Sequence, residues 1–278
     1  MKLGFHISIA GGFKKVTERA IKRECATIQL FSRNPRGWKY TQLDEEDISI
    51  FTKDITRYSI DPVFVHMPYL PNLCSEDDEL FNKSVKSLIE DLNRSERLNA
   101  QFLIVHIGSN RNKKVGMERM IKGINQAFSK IRNGVILLIE NTAGAGNELG
   151  YNFEDLGTIL NEIEDQKRIG VVLDTAHAFE AGYDLRTEKA VDETIKNFDR
   201  NIGINRLYLI HFNDSRTKLG SRSDRHWHIT RGEIGKGMGY IINHSAFKHL
   251  PFIMETPRTD TKEDIMNMKI AKSLIKEI

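Results

Sequence analysis

The chain has 278 residues, 40% hydrophobic and 28% charged, which is ordinary globular composition with length enough for one large domain or two small ones. Disorder is excluded as the main state, and apolar runs as short as Val135 to Ile139 fall well below the roughly 18 to 20 residues that span a bilayer. With 41 basic residues against 38 acidic ones the net charge is +3, so a polyanion would have to be attracted by local charge rather than by the whole surface.

The start, Met1 to His6, lacks the apolar core and small-residue cleavage site of a secretory signal, so a cytoplasmic chain is expected. Cys25 and Cys74 are far apart and form no CxxC pair. Neither a disulfide framework nor a thiolate zinc site is available, and any metal must be held by nitrogen and oxygen. Only six prolines occur, with no low-complexity tract or linker, so a single domain over residues 1–278 is the simplest reading.

In chain order, the apolar runs are Leu3 to Ile7, Ala26 to Phe31, Pro62 to Val65, Phe102 to Val105, Val135 to Ile139, Ile169 to Leu173, Arg206 to Ile210 and Pro251 to Met254. Helical periodicity fills the gaps, as in Leu80 to Leu98 with apolar residues at 80, 81, 85, 88, 89 and 92. Strand and helix repeats of this length imply parallel crossovers, and near-continuous apolar strands imply that both faces are covered. Eight such units predict a closed (β/α)8 barrel, with a doubly wound sheet as the runner-up.

The most informative pattern lies at the ends of these runs. Ser32, His66, His106, Glu140, Asp174, His211 and Glu255 come directly after runs two to eight, and all but Ser32 are metal-ligand types. In a barrel these positions gather at the C-terminal rim, where active sites of the fold are built. Any one of them alone reads most simply as a hydrogen-bonded core or loop residue. Together, without cations, they would set like charges against each other in one cavity at a cost of several kcal/mol each.

Asp174-Thr175-Ala176-His177 adds an imidazole one turn beyond the sixth strand, and Asp224-Arg225-His226 adds two more donors after the seventh. Five histidines and four carboxylates exceed the needs of two metals and point to three. Imidazole and carboxylate without thiolate favour zinc, with manganese or iron as alternatives. Closely spaced divalent ions suit in-line displacement at phosphorus, so phosphodiester or phosphomonoester hydrolysis is expected.

Two loops could meet a polyanion. Ser32 to Tyr40 carries Arg33, Arg36 and Lys39 with Trp38 and Tyr40 and no acid; it reads either as a nucleic-acid wedge, with Arg36 or an aromatic filling an opened base step, or as a solvated loop with Trp38 packed on the barrel. Residues 216 to 231 hold Arg216, Lys218, Arg222, Arg225 and Arg231 against the single acid Asp224. Tyr69, three residues after His66, either faces the opening or packs as an ordinary tyrosine. The segments Gly144 to Gly146 and Gly232 to Gly239 lack a P-loop lysine and read as tight turns. His6 is expected to be structural or to support a ligand, His228 is ambiguous, and His244 and His249 are expected on the surface of a helical stretch.

These motifs, from Gly4-Phe5-His6-Ile7-Ser8 through His66-Met67-Pro68-Tyr69-Leu70, Glu140-Asn141-Thr142-Ala143-Gly144 and Leu173 to Phe179 to Glu255-Thr256-Pro257, run nearly end to end. The sequence resembles the endonuclease IV family of apurinic/apyrimidinic (AP) endonucleases. The resemblance implies a TIM barrel with three zinc ions: the first on His66, His106 and Glu140, the second on Glu140, Asp174, His211 and Glu255, the third on His177, Asp224 and His226. It further implies hydrolysis of the phosphodiester 5′ to an abasic site in double-stranded DNA, leaving a 3′-hydroxyl and a 5′-deoxyribose phosphate, with related cleaning of blocked 3′ ends. Glu140 would accept a proton or orient the attacking water, Arg36 and Tyr69 would penetrate or line the opened DNA, and Arg225 would contact it. No membrane is implied, and a monomer is expected. Gly37 and Thr230 depart from the family, which often has a larger polar residue beside the inserted arginine and usually glycine at the second position.

The competing readings are a metal-dependent sugar isomerase or epimerase on a related barrel, which would not need the cationic loops, and a DNA-binding module that has lost activity, which intact ligands argue against.

Overall fold

A computed structural model describes residues 1–257 and 260–276. Every apolar run is a strand: β1 (Lys2–Ile7), β2 (Thr27–Phe31), β3 (Val63–His66), β4 (Phe102–His106), β5 (Ile136–Glu140), β6 (Ile169–Asp174), β7 (Leu207–His211) and, after a two-residue pair β8 (Asp214–Ser215) and β9 (His226–Trp227), β10 (Pro251–Met254). The barrel strands close in the order β1-β10-β7-β6-β5-β4-β3-β2, each paired in parallel with its neighbours, while β8 and β9 pair antiparallel. The structure is a (β/α)8 barrel, not an open doubly wound sheet.

The helices are α1 (Lys14–Lys22), α2 (Glu45–Arg57), α3 (Asp78–Arg97), α4 (Lys113–Lys130), α5 (Phe153–Glu162), α6 (Thr175–Ala181), α7 (Glu188–Asn201), α8 (Gly237–Asn243) and α9 (Thr261–Leu274). α3 shows why they form. The Asp77 carboxylate caps it by accepting from the Leu80 amide, Asp78 and Glu79 sit in the first turn and Arg94 and Arg97 in the last, complementing the helix dipole. Phe81, Val85, Leu88 and Leu92 form its buried stripe, each contributing about 1.5–3 kcal/mol by burial.

Alternation along the strands decides what fills the barrel. Phe64, Ile104, Leu138, Val172, Leu209 and Ile253 form a fully buried apolar layer in its interior. Two residues further along each of those strands, on the same face, stand His66, His106, Glu140, Asp174, His211 and Glu255. Five of these are the last residue of their strand, and Glu255 immediately follows β10.

Two local expectations are corrected. Gly237 and Gly239 belong to α8 rather than to a turn, because the Lys236 region enters a helix there. His244 lies just past the end of α8, half-buried with Nε2 3.1 Å from Asp192, and the exposed His249 is in a turn, so neither is helical. Gly146 does occupy a turn, closed by the Glu148 amide on the Ala145 carbonyl, and Gly144 stands just before it; both have positive φ, 57° and 77°.

Candidate metal centre

The barrel mouth brings all nine predicted donors together. His66 Nε2 and His106 Nε2 lie 3.1 and 3.3 Å from Glu140 Oε2. His66 Nδ1 donates to the Met67 carbonyl at 2.7 Å, which leaves Nε2 free to act as a ligand. The other Glu140 oxygen, Oε1, is 2.8 Å from His211 Nδ1, and that nitrogen is 3.4 Å from Glu255 Oε2 and 3.8 Å from Asp174 Oδ2. Glu140 therefore stands between two donor groups, one for each oxygen.

The third group lies beside them. Asp174 caps α6 through the His177 amide at 2.8 Å, and this turn aims His177 inward. His177 Nε2 and His226 Nε2 face each other at 3.3 Å, with Asp224 Oδ1 at 3.4 and 3.7 Å from them. Asp174 Oδ2, 3.5 Å from His226 Nε2, also borders this group, so three sets of donors each gather within 4.8 Å: His66, His106 and Glu140; Glu140, Asp174, His211 and Glu255; Asp174, His177 and His226.

The chemistry of the donors fits divalent cations. Nδ1 of His177 lies 2.9 Å from the Asn141 carbonyl and Nδ1 of His226 lies 3.3 Å from the Glu255 carbonyl, where each can donate. Neutral rings in that orientation would set their Nε2 atoms against each other as two acceptors, so a positive charge, a proton or a cation, is called for between them. Burial pushes the Glu140 carboxyl up, but His211 and His106 outweigh it and hold it well below the usual range. Burial pulls His211 down, while Glu140 and Glu255 carry it up to about 9; burial raises Asp224, but His177 brings it down to about 2. Without metal, the carboxylates hold His106, His177 and His211 above the usual imidazole range, and a cation would take the place of a proton there.

Several supporting residues were not singled out from sequence. The Asn213 amide donates to Asp174 Oδ2 at 2.7 Å and its oxygen accepts from the Glu255 amide at 2.8 Å. Asn141 pairs with the Asp174 backbone at 2.7 and 3.1 Å. Buried Glu180 accepts from Ser215 Oγ, Thr217 Oγ1 and the Arg225 amide at 2.7, 3.2 and 3.2 Å, tying the loop that carries Asp224 and His226 to α6. Of Asn141, Asn213 and Glu180, only Asn141 directly adjoins a donor in the sequence, Glu140, so nothing in the pattern marked Asn213 or Glu180. His6 supports the site, its Nδ1 lying 3.3 Å from Glu255 Oε1, whereas His228 stands outside the donor groups with its Nδ1 3.1 Å from the Asn267 amide.

A mouth of about 290 Å³, lined by Phe31, Tyr69, His106, His177, Asp224 and His226 among others, opens over the donors. Tyr69 is 63% exposed and edges onto Phe31 and His106, with ring centroids at 5.9 and 5.6 Å. Arg36 and Arg225 are exposed. Arg33 corrects the picture of an entirely solvent-facing cationic loop. It is buried, donates to Ser87 Oγ at 2.8 Å, approaches Asp91 at 3.6 Å and stacks on Tyr40, because the loop needs an internal post. Trp38 is half-buried with Lys83 Nζ 4.4 Å from its ring, so the packed reading holds for it. Space is open around Gly37, so the fold does not require glycine there. Thr230 adopts φ 65°, a left-handed conformation that favours glycine.

Residues 18–275 match the family model described as a xylose isomerase-like TIM barrel. The chain is 47% identical over 261 residues to the probable endonuclease 4 of Halothermothrix orenii, covering 93% of this chain and 94% of that protein. It is 41% identical to the probable endonuclease 4 of Nitrosopumilus maritimus, covering 98% and 99%. The crystal structure of endonuclease IV from Thermus thermophilus superposes with a TM-score of 0.89 at 34% identity, over 99% and 98% of the two chains. The chain belongs to the endonuclease IV family. As an endonuclease IV-type enzyme it is a metal-dependent hydrolase with multiple candidate metal sites at the barrel mouth. A D-tagatose 3-epimerase-like protein superposes at a TM-score of 0.76 with 18% identity, a likeness of fold alone. Among the described residues no helix is long and apolar enough to cross a membrane.

Proposed function

We propose that this enzyme hydrolyses the phosphodiester 5′ to abasic sites in double-stranded DNA, releasing a 3′-hydroxyl and a 5′-deoxyribose phosphate, and also cleans blocked 3′ ends. The observation that carries the reading is the convergence of three donor groups, joined through Glu140 and Asp174, on one open mouth. His66, His106 and Glu140 would hold one zinc ion, Glu140, Asp174, His211 and Glu255 a second, and His177, Asp224 and His226 the third. When bound, the ions supply Lewis acidity, lowering the pKa of water and neutralising charge on the phosphate and the leaving oxygen.

The remaining work falls to the chain. Glu140, with one oxygen toward each of two donor groups, orients the attacking water or takes its proton. Arg36, exposed on its loop, enters the gap left by the missing base, Tyr69 lines the opening, and Arg225 meets the phosphate backbone beside the third group. An abasic nucleotide has no base to unstack, so extruding it costs less than extruding an intact one, which supplies selectivity without base readout. The chain acts as a cytoplasmic monomer in this reading.

The test is incision of a duplex carrying one abasic analogue, before and after chelation, with metal content measured in parallel. Loss of cleavage on chelation and in Glu140→Gln and His177→Ala, with folding retained, is expected, together with three ions per chain. Near-normal incision by Glu140→Gln would overturn the shared role of that carboxylate, and turnover of a free sugar with two or fewer ions would favour the epimerase reading.

A further inference from the structure

The ends of β1 and β2 contribute no donor to the three groups, yet β2 sends a polar side chain into the barrel interior. Gln29 stands in the middle of the apolar run Thr27–Phe31 and is fully buried. A primary amide in such a place is costly unless its oxygen and both hydrogens are paired.

All three are. Gln29 Oε1 lies 2.7 Å from His211 Nε2, and Gln29 Nε2 lies 2.7 Å from Glu255 Oε1 and 2.9 Å from His6 Nδ1, its neighbour in strand register. The amide has one sensible orientation: a flipped amide would set its oxygen against the Glu255 carboxylate and its hydrogens against His211. An amide oxygen only accepts, so His211 must carry a proton on Nε2, which leaves Nδ1 to face Glu140, Asp174 and Glu255. The same amide engages Glu255 through Oε1, while Oε2 is the oxygen turned toward His211 Nδ1 at 3.4 Å.

We propose that Gln29 is a positioning residue for the second metal: one amide selects Nδ1 of His211 as the ligand atom and presents Glu255 through Oε2 alone. This rests on the metal-site reading above. Outer partners of this kind fix ligand tautomer and orientation, and their loss typically weakens a metal by about 10–100-fold.

The test uses zinc alone as the probe, competed against a chelator. Gln29→Met keeps the side-chain length and removes every hydrogen bond; Gln29→Glu keeps an acceptor for His211. In Gln29→Met, one of the bound zinc ions is expected to weaken about 10–100-fold while the others hold. Imidazole NMR of the zinc-loaded wild type is expected to show His211 protonated at Nε2 with the low-field proton shift of a hydrogen bond, a shift retained in Gln29→Glu and lost in Gln29→Met. A Gln29→Met chain with wild-type affinity for every zinc, or a wild-type His211 protonated at Nδ1, overturns the proposal while leaving the metal centre standing. A wild-type chain that takes up no zinc sinks the metal centre itself, and this role with it. Because the tautomer is read in the wild type, a misfolded variant does not spare the proposal.

Discussion

The two storeys of the barrel interior come from the same strands, one alternate residue apart. Below, Phe64, Ile104, Leu138, Val172, Leu209 and Ile253 form an apolar layer; above, His66, His106, Glu140, Asp174, His211 and Glu255 crowd charge into a space almost as dry. The lower storey stabilises the fold by removing apolar surface from water. The upper one opposes it unless opposite charges or cations balance each carboxylate. A step of two residues along a strand thus separates what the barrel needs to fold from what it needs to act.

The largest effects should separate these storeys. Glu140→Gln is expected to lower incision by at least about 100-fold in protein that still folds, whereas Leu138→Ala should lose about 2–5 kcal/mol and keep its activity per folded molecule. Matched urea titrations and incision rates check this, and a Leu138→Ala enzyme that is stable but inactive would break the division.

The same contrast runs through the loop after β2. Arg33→Met strands buried Asp91 without its guanidinium and should cost about 3–5 kcal/mol, while Arg36→Ala should leave stability within about 0.5 kcal/mol and weaken binding to abasic duplex. If denaturant midpoints instead move equally in the two variants, Arg33 is not the post of this loop.

pH should leave the apolar storey untouched and act on the charged one with opposite sign in metal-free and zinc-loaded protein. In metal-free protein His211 is raised from 6.5 to about 9, so its stabilising pairing is complete below about 6.5 and lost as pH climbs through about 9. Zinc competes with protons for the same imidazoles, so its affinity should rise over that range. Calorimetry should therefore show the melting temperatures of chelated and zinc-loaded protein diverging from pH 6.5 to 9; a constant gap would refute the coupling. The smallest effect belongs to Thr230→Gly, which relieves a left-handed threonine and should gain up to about 1 kcal/mol, read from the denaturant midpoint.

Strand and helix order was legible because each barrel strand is a short apolar run and each helix a repeating stripe, patterns that local chain geometry imposes. The six donors at or just after strand ends were legible for the same reason, since a strand end in a closed barrel has one destination. The grouping of the donors came from the family resemblance and not from the pattern of the chain, and nothing in the sequence showed that Arg33 turns inward while Arg36 turns out, or that Gln29 reaches His211 and Glu255, residues more than 180 positions away. Those outcomes depend on closure of β1 onto β10, which brings β2 within reach of β7 and β10 across the interior, and on the demand that every buried polar atom find a partner there. Periodicity is a property of neighbours along the chain; pairing inside the barrel is a property of distance through it, and only the folded structure sets that distance.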